Sequence, residues 1–130
     1  MKTRYVTPEE SLLVIRAVHG GEPLNYVRDT VLLHSALERP AATLFGRDAY
    51  PDAFSKGAAL LHSVLRNHAL IDGNKRTGWI LCALFFELNG YIEHYDEDAM
   101  FDFILGVAEG EIEDIADIAE ELALWFTPRV

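Results

Sequence analysis

Nine consecutive residues, His68-Ala69-Leu70-Ile71-Asp72-Gly73-Asn74-Lys75-Arg76, bring together a base, a carboxylate, a glycine, an amide and two cations. If the apolar segment that follows, residues 77–88, is a helix, Asp72-Gly73-Asn74 stands at its N-terminus, where the first backbone N–H groups have no partner inside the helix. Those donors and the helix dipole form a cradle for an anion such as phosphate, and Gly73 removes a side chain from its path. Lys75 and Arg76 add full positive charge, the arginine as a planar donor fork. A carboxylate among phosphate-binding groups repels the ligand unless a cation bridges them. Asp72 is therefore the expected Mg²⁺ ligand, because Mg²⁺ takes one or two carboxylates together with phosphate oxygens. The imidazole of His68 can accept a proton from a hydroxyl nucleophile. These parts together describe phosphoryl or nucleotidyl transfer, in which catalysis is mostly positioning and charge neutralisation.

Each residue also has a plainer reading: Asp72 as an N-cap, Gly73 as a tight turn, His68 as a helix-end residue near the negative end of a dipole. Their joint occurrence favours the chemical one. A Walker A loop is excluded, since Asn74 separates Gly73 from Lys75 and no glycine precedes at the required spacing.

The elements that must position this stretch are helical. Thr7-Pro8-Glu9-Glu10 is a helix start with Thr as N-cap, Pro in the first turn and acids at the positive dipole end, and Gly20-Gly21 is its stop. A second helix follows Asn25–Val27, with Val31, Leu32, Leu33 and Leu37 as its stripe, and ends at Arg39 because the residue before Pro40 is pushed out of the helical region. Residues 40–50 lack a helical period and read as a loop or short hairpin. Pro51-Asp52 restarts a helix whose apolar face, Phe54, Ala58, Leu61, Val64 and Leu65, runs down to His68. Residues 77–88 are apolar almost all round, the pattern of a buried central helix. Asn89-Gly90 is a C-cap signal, and Tyr91 to Tyr95 a short extended link. Asp96-Glu97-Asp98 opens another helix closed by Gly110, and a final helix spans about Glu111 to Phe126. The expected architecture is all-α, one domain over residues 1–130, with about six helices around a buried central one.

At 130 residues with 50% hydrophobic content the chain has ordinary globular composition and enough length for its own core. The strongest apolar run, Trp79 to Phe86, is far short of the roughly 20 residues needed to span a bilayer. The first five residues have no apolar signal region, and the single cysteine, Cys82, has no internal partner. The expectation is a cytoplasmic protein with no membrane association. Residues 1–76 carry ten Lys/Arg against eight Asp/Glu, whereas residues 77–130 carry one cation against thirteen acids. Without a basic face the chain is not expected to bind nucleic acid directly. The acidic half reads as a solvated helical surface.

The segment His68 to Thr77 resembles the signature of the Fic/Doc family, in particular its death-on-curing (Doc) branch. Ser35-Ala36-Leu37-Glu38-Arg39-Pro40, Tyr50-Pro51-Asp52, Arg66-Asn67-His68 and Leu88-Asn89-Gly90-Tyr91 also resemble Doc-like proteins, so the likeness spans nearly the whole chain. The resemblance implies an α-helical Fic fold that binds ATP and Mg²⁺ at the central helix and modifies a protein hydroxyl. It implies His68 as general base, Asp72 as metal ligand, Gly73, Asn74, Lys75 and Arg76 as phosphate cradle, and residues 40–50 as a flap that aligns the target. Doc proteins are toxins of toxin–antitoxin pairs, and the best-known member phosphorylates elongation factor Tu and stops translation. A cognate antitoxin and a target protein, elongation factor Tu or another, are thus the implied partners.

Departures from the family pattern sharpen the expectation. Adenylylating members carry glycine at the position of Lys75 and a second arginine at that of Trp79, so transfer of the γ-phosphate to a Ser or Thr hydroxyl is favoured over AMP transfer. The motif's usual proline is Ala69, which leaves the loop freer, and its phenylalanine is Leu70, still apolar enough to anchor the loop. These changes leave open a catalytically idle binding module. The family's self-inhibitory Ser or Thr, expected four residues before Glu109-Gly110, is Leu105, so inhibition falls to a separate antitoxin. Arg66, two residues before the base, can reach phosphate or pair with an acid. His62 is expected in a packing or surface role, Glu38 and Arg39 in a helix-end salt bridge rather than a contact with target or antitoxin, and Trp79, Phe85, Phe86 and Trp125 in the core. His19, His34 and His94 have no companion at zinc-ligand spacing.

Overall fold

A computed structural model describes residues 2–94 and 96–130. Six α-helices are present among the described residues: α1 Pro8–His19, α2 Thr30–Glu38, α3 Ala53–Asn67, α4 Asn74–Leu88, α5 Glu97–Ala108 and α6 Ile115–Trp125. Two short antiparallel ribbons accompany them, β1 Thr43–Leu44 with β2 Arg47–Asp48, and β3 Tyr91–Glu93 with β4 Phe126–Pro128. The all-α, single-domain expectation holds, with α3 sharing the centre with α4: α3 packs along α4 on one side and α6 on another, and α1 lies against α4.

Local chemistry sets the helix ends. Thr7 caps α1 in a reciprocal capping box with Glu10, and Gly20 ends the helix at φ 78°. Asp52 caps α3 onto Ser55, and Asp96 and Asp114 accept first-turn N–H groups of α5 and α6. The start of α6 at Ile115 corrects the expected Glu111. The N–H groups of Glu111 and Ile112 instead bond back to the Gly106 carbonyl, wrapping the chain before Asp114 restarts it. Phe126, expected in that helix, is extended and pairs in β4. The link after Asn89-Gly90 is likewise a strand, β3, through Glu93; Tyr95 lies outside the described residues.

Two further corrections concern α2. Val31 is exposed to solvent, leaving Leu33, Ala36 and Leu37 as the buried face. Arg39 also stays helical, at φ −54° and ψ −42°, and leads into a 3-10 turn through Ala41. Its side chain is bonded to the Tyr50 hydroxyl (3.0 Å), the Ser63 hydroxyl (2.9 Å) and His62 Nδ1 (2.8 Å), and those contacts override the steric preference before proline. Arg39 is thus a tertiary tie rather than a helix-end partner of Glu38.

Residues 40–50 form the hairpin β1–β2. Its two-residue turn, Phe45 at φ 52° and Gly46 at φ 76°, has the doubly positive φ of a twist-matched hairpin turn. Lys56, buried in α3, holds both feet, with its Nζ 3.3 Å from the Pro40 carbonyl and 3.2 Å from Asp48 Oδ2.

The core is aromatic where α3, α4 and the β3–β4 ribbon meet. Phe86 stacks on Phe126 at 4.2 Å between centroids and 15° between planes, with Phe85 and Tyr91 edge-on. Gly57 is what lets α3 approach so closely: a Cβ there would meet the Phe86 ring at 2.5 Å. Phe85, Phe86, Trp79 and Trp125 are buried as expected, and burial raises the Cys82 thiol pKa far above the ordinary range, with Glu93 adding to it. No helix among the described residues is long and apolar enough to cross a membrane.

Candidate active site

Helix α4 begins at Asn74, three residues earlier than residues 77–88 alone indicate, so Lys75 and Arg76 occupy its first turn. The N–H groups of Asn74, Lys75 and Arg76 precede the first intrahelical bond, which Thr77 donates to the Gly73 carbonyl at 3.0 Å. They lie at a cleft of about 650 Å³ lined by His68, Asp72, Gly73, Lys75 and Arg76, together with His19 and Tyr26. Neither Lys75 nor Arg76 has a carboxylate within 4 Å among the described residues, so both charges remain available to an anion.

His68 caps α3 in the left-handed region, φ 53° and ψ 48°. A non-glycine residue there is strained by about 1 kcal/mol or more, and neighbouring groups hold it in place. The Arg28 guanidinium supplies that hold, donating from Nε to the His68 carbonyl at 2.8 Å and from a terminal nitrogen to the Asn67 carbonyl at 3.3 Å. The Ala69 carbonyl accepts from the N–H groups of Arg28 (2.8 Å) and Asp29 (3.0 Å), and the Ile71 N–H donates to Tyr26 at 2.9 Å. The loop at Ala69 is therefore clamped rather than freer. Its own N–H donates to Asn67 Oδ1 at 3.2 Å, a bond that proline could not make. Leu70 is 2% exposed and anchors the loop in the core as anticipated.

Gly73 is required twice over. It adopts φ 74°, and a Cβ on it would lie 2.7 Å from His19 Nε2. The same nitrogen lies 3.0 Å from the Asp72 carbonyl oxygen, while Nδ1 faces the Ile15 carbonyl at 3.0 Å and the ring stacks on Tyr26 at 4.4 Å. His19, Tyr26 and Arg28 thus build the wall and clamp of the site, although no local pattern in the sequence marks them.

The structure distributes the sequence-derived residues unevenly. His68, Asp72, Gly73, Lys75 and Arg76 line one cleft. Asn74 lines it too, but its side-chain amide is committed to Leu70, accepting from the N–H at 3.1 Å and donating to the carbonyl at 3.0 Å, so only its backbone N–H is left for a ligand. Arg66 is not brought into the cleft lining: its guanidinium pairs with Glu113 at 3.4 Å. Glu113 also accepts from His62 Nε2 at 3.0 Å. That hydrogen bond, with the positive charges of Arg66 and Arg39 behind it, holds the Glu113 carboxyl below the usual range.

Asp72 suits a magnesium ion only in company. Its Oδ1 accepts the Gly73 N–H at 2.8 Å, and no group of three His, Cys, Asp or Glu among the described residues could hold a metal unaided. Mg²⁺ fits such a site because it takes one or two carboxylates and completes its shell with phosphate oxygens and water.

The Fic/DOC family model matches residues 7–86, from the cap of α1 through the aromatic end of α4. Toxin Doc of Mycolicibacterium smegmatis (strain ATCC 700084 / mc(2)155) is 44% identical over 123 residues, covering 93% of this chain and 92% of that protein. With a strained histidine facing a helix N-terminus across one cleft, and with this similarity along almost its full length, the chain belongs to the Fic/DOC family.

Proposed function

We propose that this protein is the toxin of a toxin–antitoxin pair and transfers the γ-phosphate of ATP to a Ser or Thr hydroxyl of a target protein. The observation that carries the reading is the convergence of His68, Asp72, Lys75, Arg76 and the open N-terminus of α4 on a single cleft. The His68 ring takes the hydroxyl proton as the new O–P bond forms and the bond to the β-phosphate oxygen breaks. The amides of Asn74, Lys75 and Arg76, with the two side-chain cations, hold the phosphate oxygens and stabilise their charge. Asp72 holds the Mg²⁺, which when bound neutralises phosphate charge. Arg28 and His19 keep base and cradle in register through backbone carbonyls. By the resemblance, the exposed β1–β2 hairpin is the flap that aligns the target segment.

Lys75 and Trp79, standing where the adenylylating relatives carry glycine and arginine, support phosphate transfer over AMP transfer. Elongation factor Tu in the cytoplasm is the target class the resemblance implies, with a separate antitoxin as inhibitor. Incubation with bacterial lysate and ATP labelled at either the α or the γ position tests the reaction. Label on protein from γ alone, lost in His68→Ala, is expected. Label from α alone establishes adenylylation instead, and label from neither, with growth arrest surviving His68→Ala, establishes a binding module.

A further inference from the structure

Arg39, Tyr50 and Arg66 come from three separate stretches of the sequence, and none of them lines the cleft. One polar network along α3 gathers all three. The half-buried Arg39 donates from Nε to the Tyr50 hydroxyl at 3.0 Å, with its guanidinium carbon 5.5 Å from the centre of the Tyr50 ring. One terminal nitrogen reaches both the Ser63 hydroxyl at 2.9 Å and His62 Nδ1 at 2.8 Å. A guanidinium has donors only, so Nδ1 must accept and the ring proton of His62 resides on Nε2. That nitrogen donates to Glu113 Oε1 at 3.0 Å, and the other oxygen of Glu113 pairs with Arg66 at 3.4 Å. We propose that Arg39 is a positioning residue for the hairpin: through Tyr50 it sets the trailing foot against α3. Glu113, by holding the proton of His62 on Nε2, keeps His62 an acceptor for it. The hairpin and the base-bearing end of α3 then meet a target segment as one unit, an inference that rests on the phosphoryl-transfer reading above.

Two ties at different heights on α3 fix an orientation, where one alone leaves a pivot. Lys56, in the first turn of α3, holds Pro40 and Asp48. His62 and Ser63 lie six and seven residues further on, roughly 10 Å along the helix axis, and close to His68. Arg39 supplies this second tie. Its diverging contacts need a planar fork, because a lysine nitrogen is a single point on a flexible stem and cannot hold Tyr50, His62 and Ser63 together. No carboxylate lies within 4 Å of Arg39 among the described residues, and the three acceptors it uses are neutral. Its charge is linked to an acid through the His62 ring, whose proton is committed to Glu113. The direction of that ring hydrogen bond couples the two contacts. A proton on Nδ1 would turn a donor on Arg39 and a lone pair on Glu113, breaking both.

The test compares wild type with Arg39→Met, His62→Asn and His62→Gln, each as the full chain. Asparagine places a carbonyl near the position of Nδ1 and keeps the Arg39 bond, whereas glutamine places its amide near Nε2 and keeps only the Glu113 bond. A long-range proton–nitrogen NMR spectrum of wild type is expected to show His62 as the Nε2–H tautomer. Amide exchange at Ala49, whose N–H bonds to Ala42, is expected to quicken about tenfold in Arg39→Met and about fivefold in His62→Gln. It is expected to stay at the wild-type rate in His62→Asn, and exchange in α4 to stay unchanged throughout. With γ-labelled ATP and rising amounts of bacterial lysate, half-maximal labelling by Arg39→Met is expected to need about fivefold more lysate, with plateau and tripolyphosphate affinity within about twofold of wild type. A wild-type His62 carrying a proton on Nδ1, unchanged Ala49 exchange in Arg39→Met, or exchange quickened alike in His62→Asn and His62→Gln overturns the assignment. So does exchange quickened equally in α4, or a plateau that falls at unchanged half-saturation. Wild type that transfers no γ label overturns the phosphoryl-transfer reading instead, and tautomer and exchange then decide the role of Arg39 at the hairpin by themselves.

Discussion

His19 Nε2, at the end of α1, lies 3.0 Å from the carbonyl oxygen of Asp72, fifty-three residues further along the chain. Through this contact an N-terminal helix shapes the turn that opens α4. The ring occupies the space that a side chain at position 73 would need.

Gly73→Ala therefore combines two costs. Left-handed backbone for a non-glycine residue costs about 1–2 kcal/mol, and the new methyl collides with the imidazole. His19→Ala removes the second cost but not the first. Urea denaturation of the two single variants and the double variant is expected to show that Gly73→Ala destabilises less when residue 19 is alanine, with a coupling of about 0.5 kcal/mol or more.

Asn74→Ala breaks both hydrogen bonds to the Leu70 backbone. Leu70 is buried, so its N–H and carbonyl lose their partners where water cannot easily replace them. A loss of about 2–3 kcal/mol is expected, together with weaker phosphate binding, because the cradle turn is no longer pinned. Thermal unfolding and titration with tripolyphosphate measure the two effects.

Lys56 is 3% exposed and ties both feet of the β1–β2 hairpin. Its ion-pair partner Asp48 is half exposed, so water can solvate that carboxylate once the ammonium is gone. Lys56→Met is accordingly expected to leave the melting temperature within a few degrees while freeing the hairpin. Faster amide exchange at Ala49, whose N–H bonds to the Ala42 carbonyl at 2.8 Å, is the signature, with exchange in α4 unchanged.

Two glutamates give opposite pH slopes. The His62 hydrogen bond, then Arg66 and the other nearby cations, depress the Glu113 pKa from 4.5, so Glu113 contributes stability above that value that is lost as pH falls through its lower folded pKa. Burial, then the charge of Glu87, raise the Glu93 pKa above 4.5, so its favourable state is fully present below 4.5 and is lost as pH rises through the folded pKa. Glu113→Gln is expected to lower the melting temperature at neutral pH, with the gap closing under acid. Glu93→Gln is expected to raise it at neutral pH, with that gap also closing under acid.

What the sequence disclosed was local. Thr7, Asp52 and Asp96 announce helix starts because a cap is read within three residues, and His68 to Arg76 is legible because its chemistry is contiguous. The supports of the site lie outside any such window. Arg28 reaches a carbonyl forty residues away and His19 one fifty-three away, and an arginine in a loop or a histidine at a helix end is unremarkable alone. The misplaced start of α6 has a similar origin. Glu111 to Glu113 have the composition of a helical first turn, but the Gly106 carbonyl captures two of their N–H groups and only Asp114 begins the ladder. Arg39 stays helical before Pro40 because three distant side chains hold it there.

Phe126 packs face to face with Phe86, and Trp79 lies 5.6 Å from it, so the flank of α4 is sealed by a residue from β4. During synthesis, the helix whose other end opens into the cleft stays incompletely buttressed until Phe126 has emerged from the ribosome to pack against it.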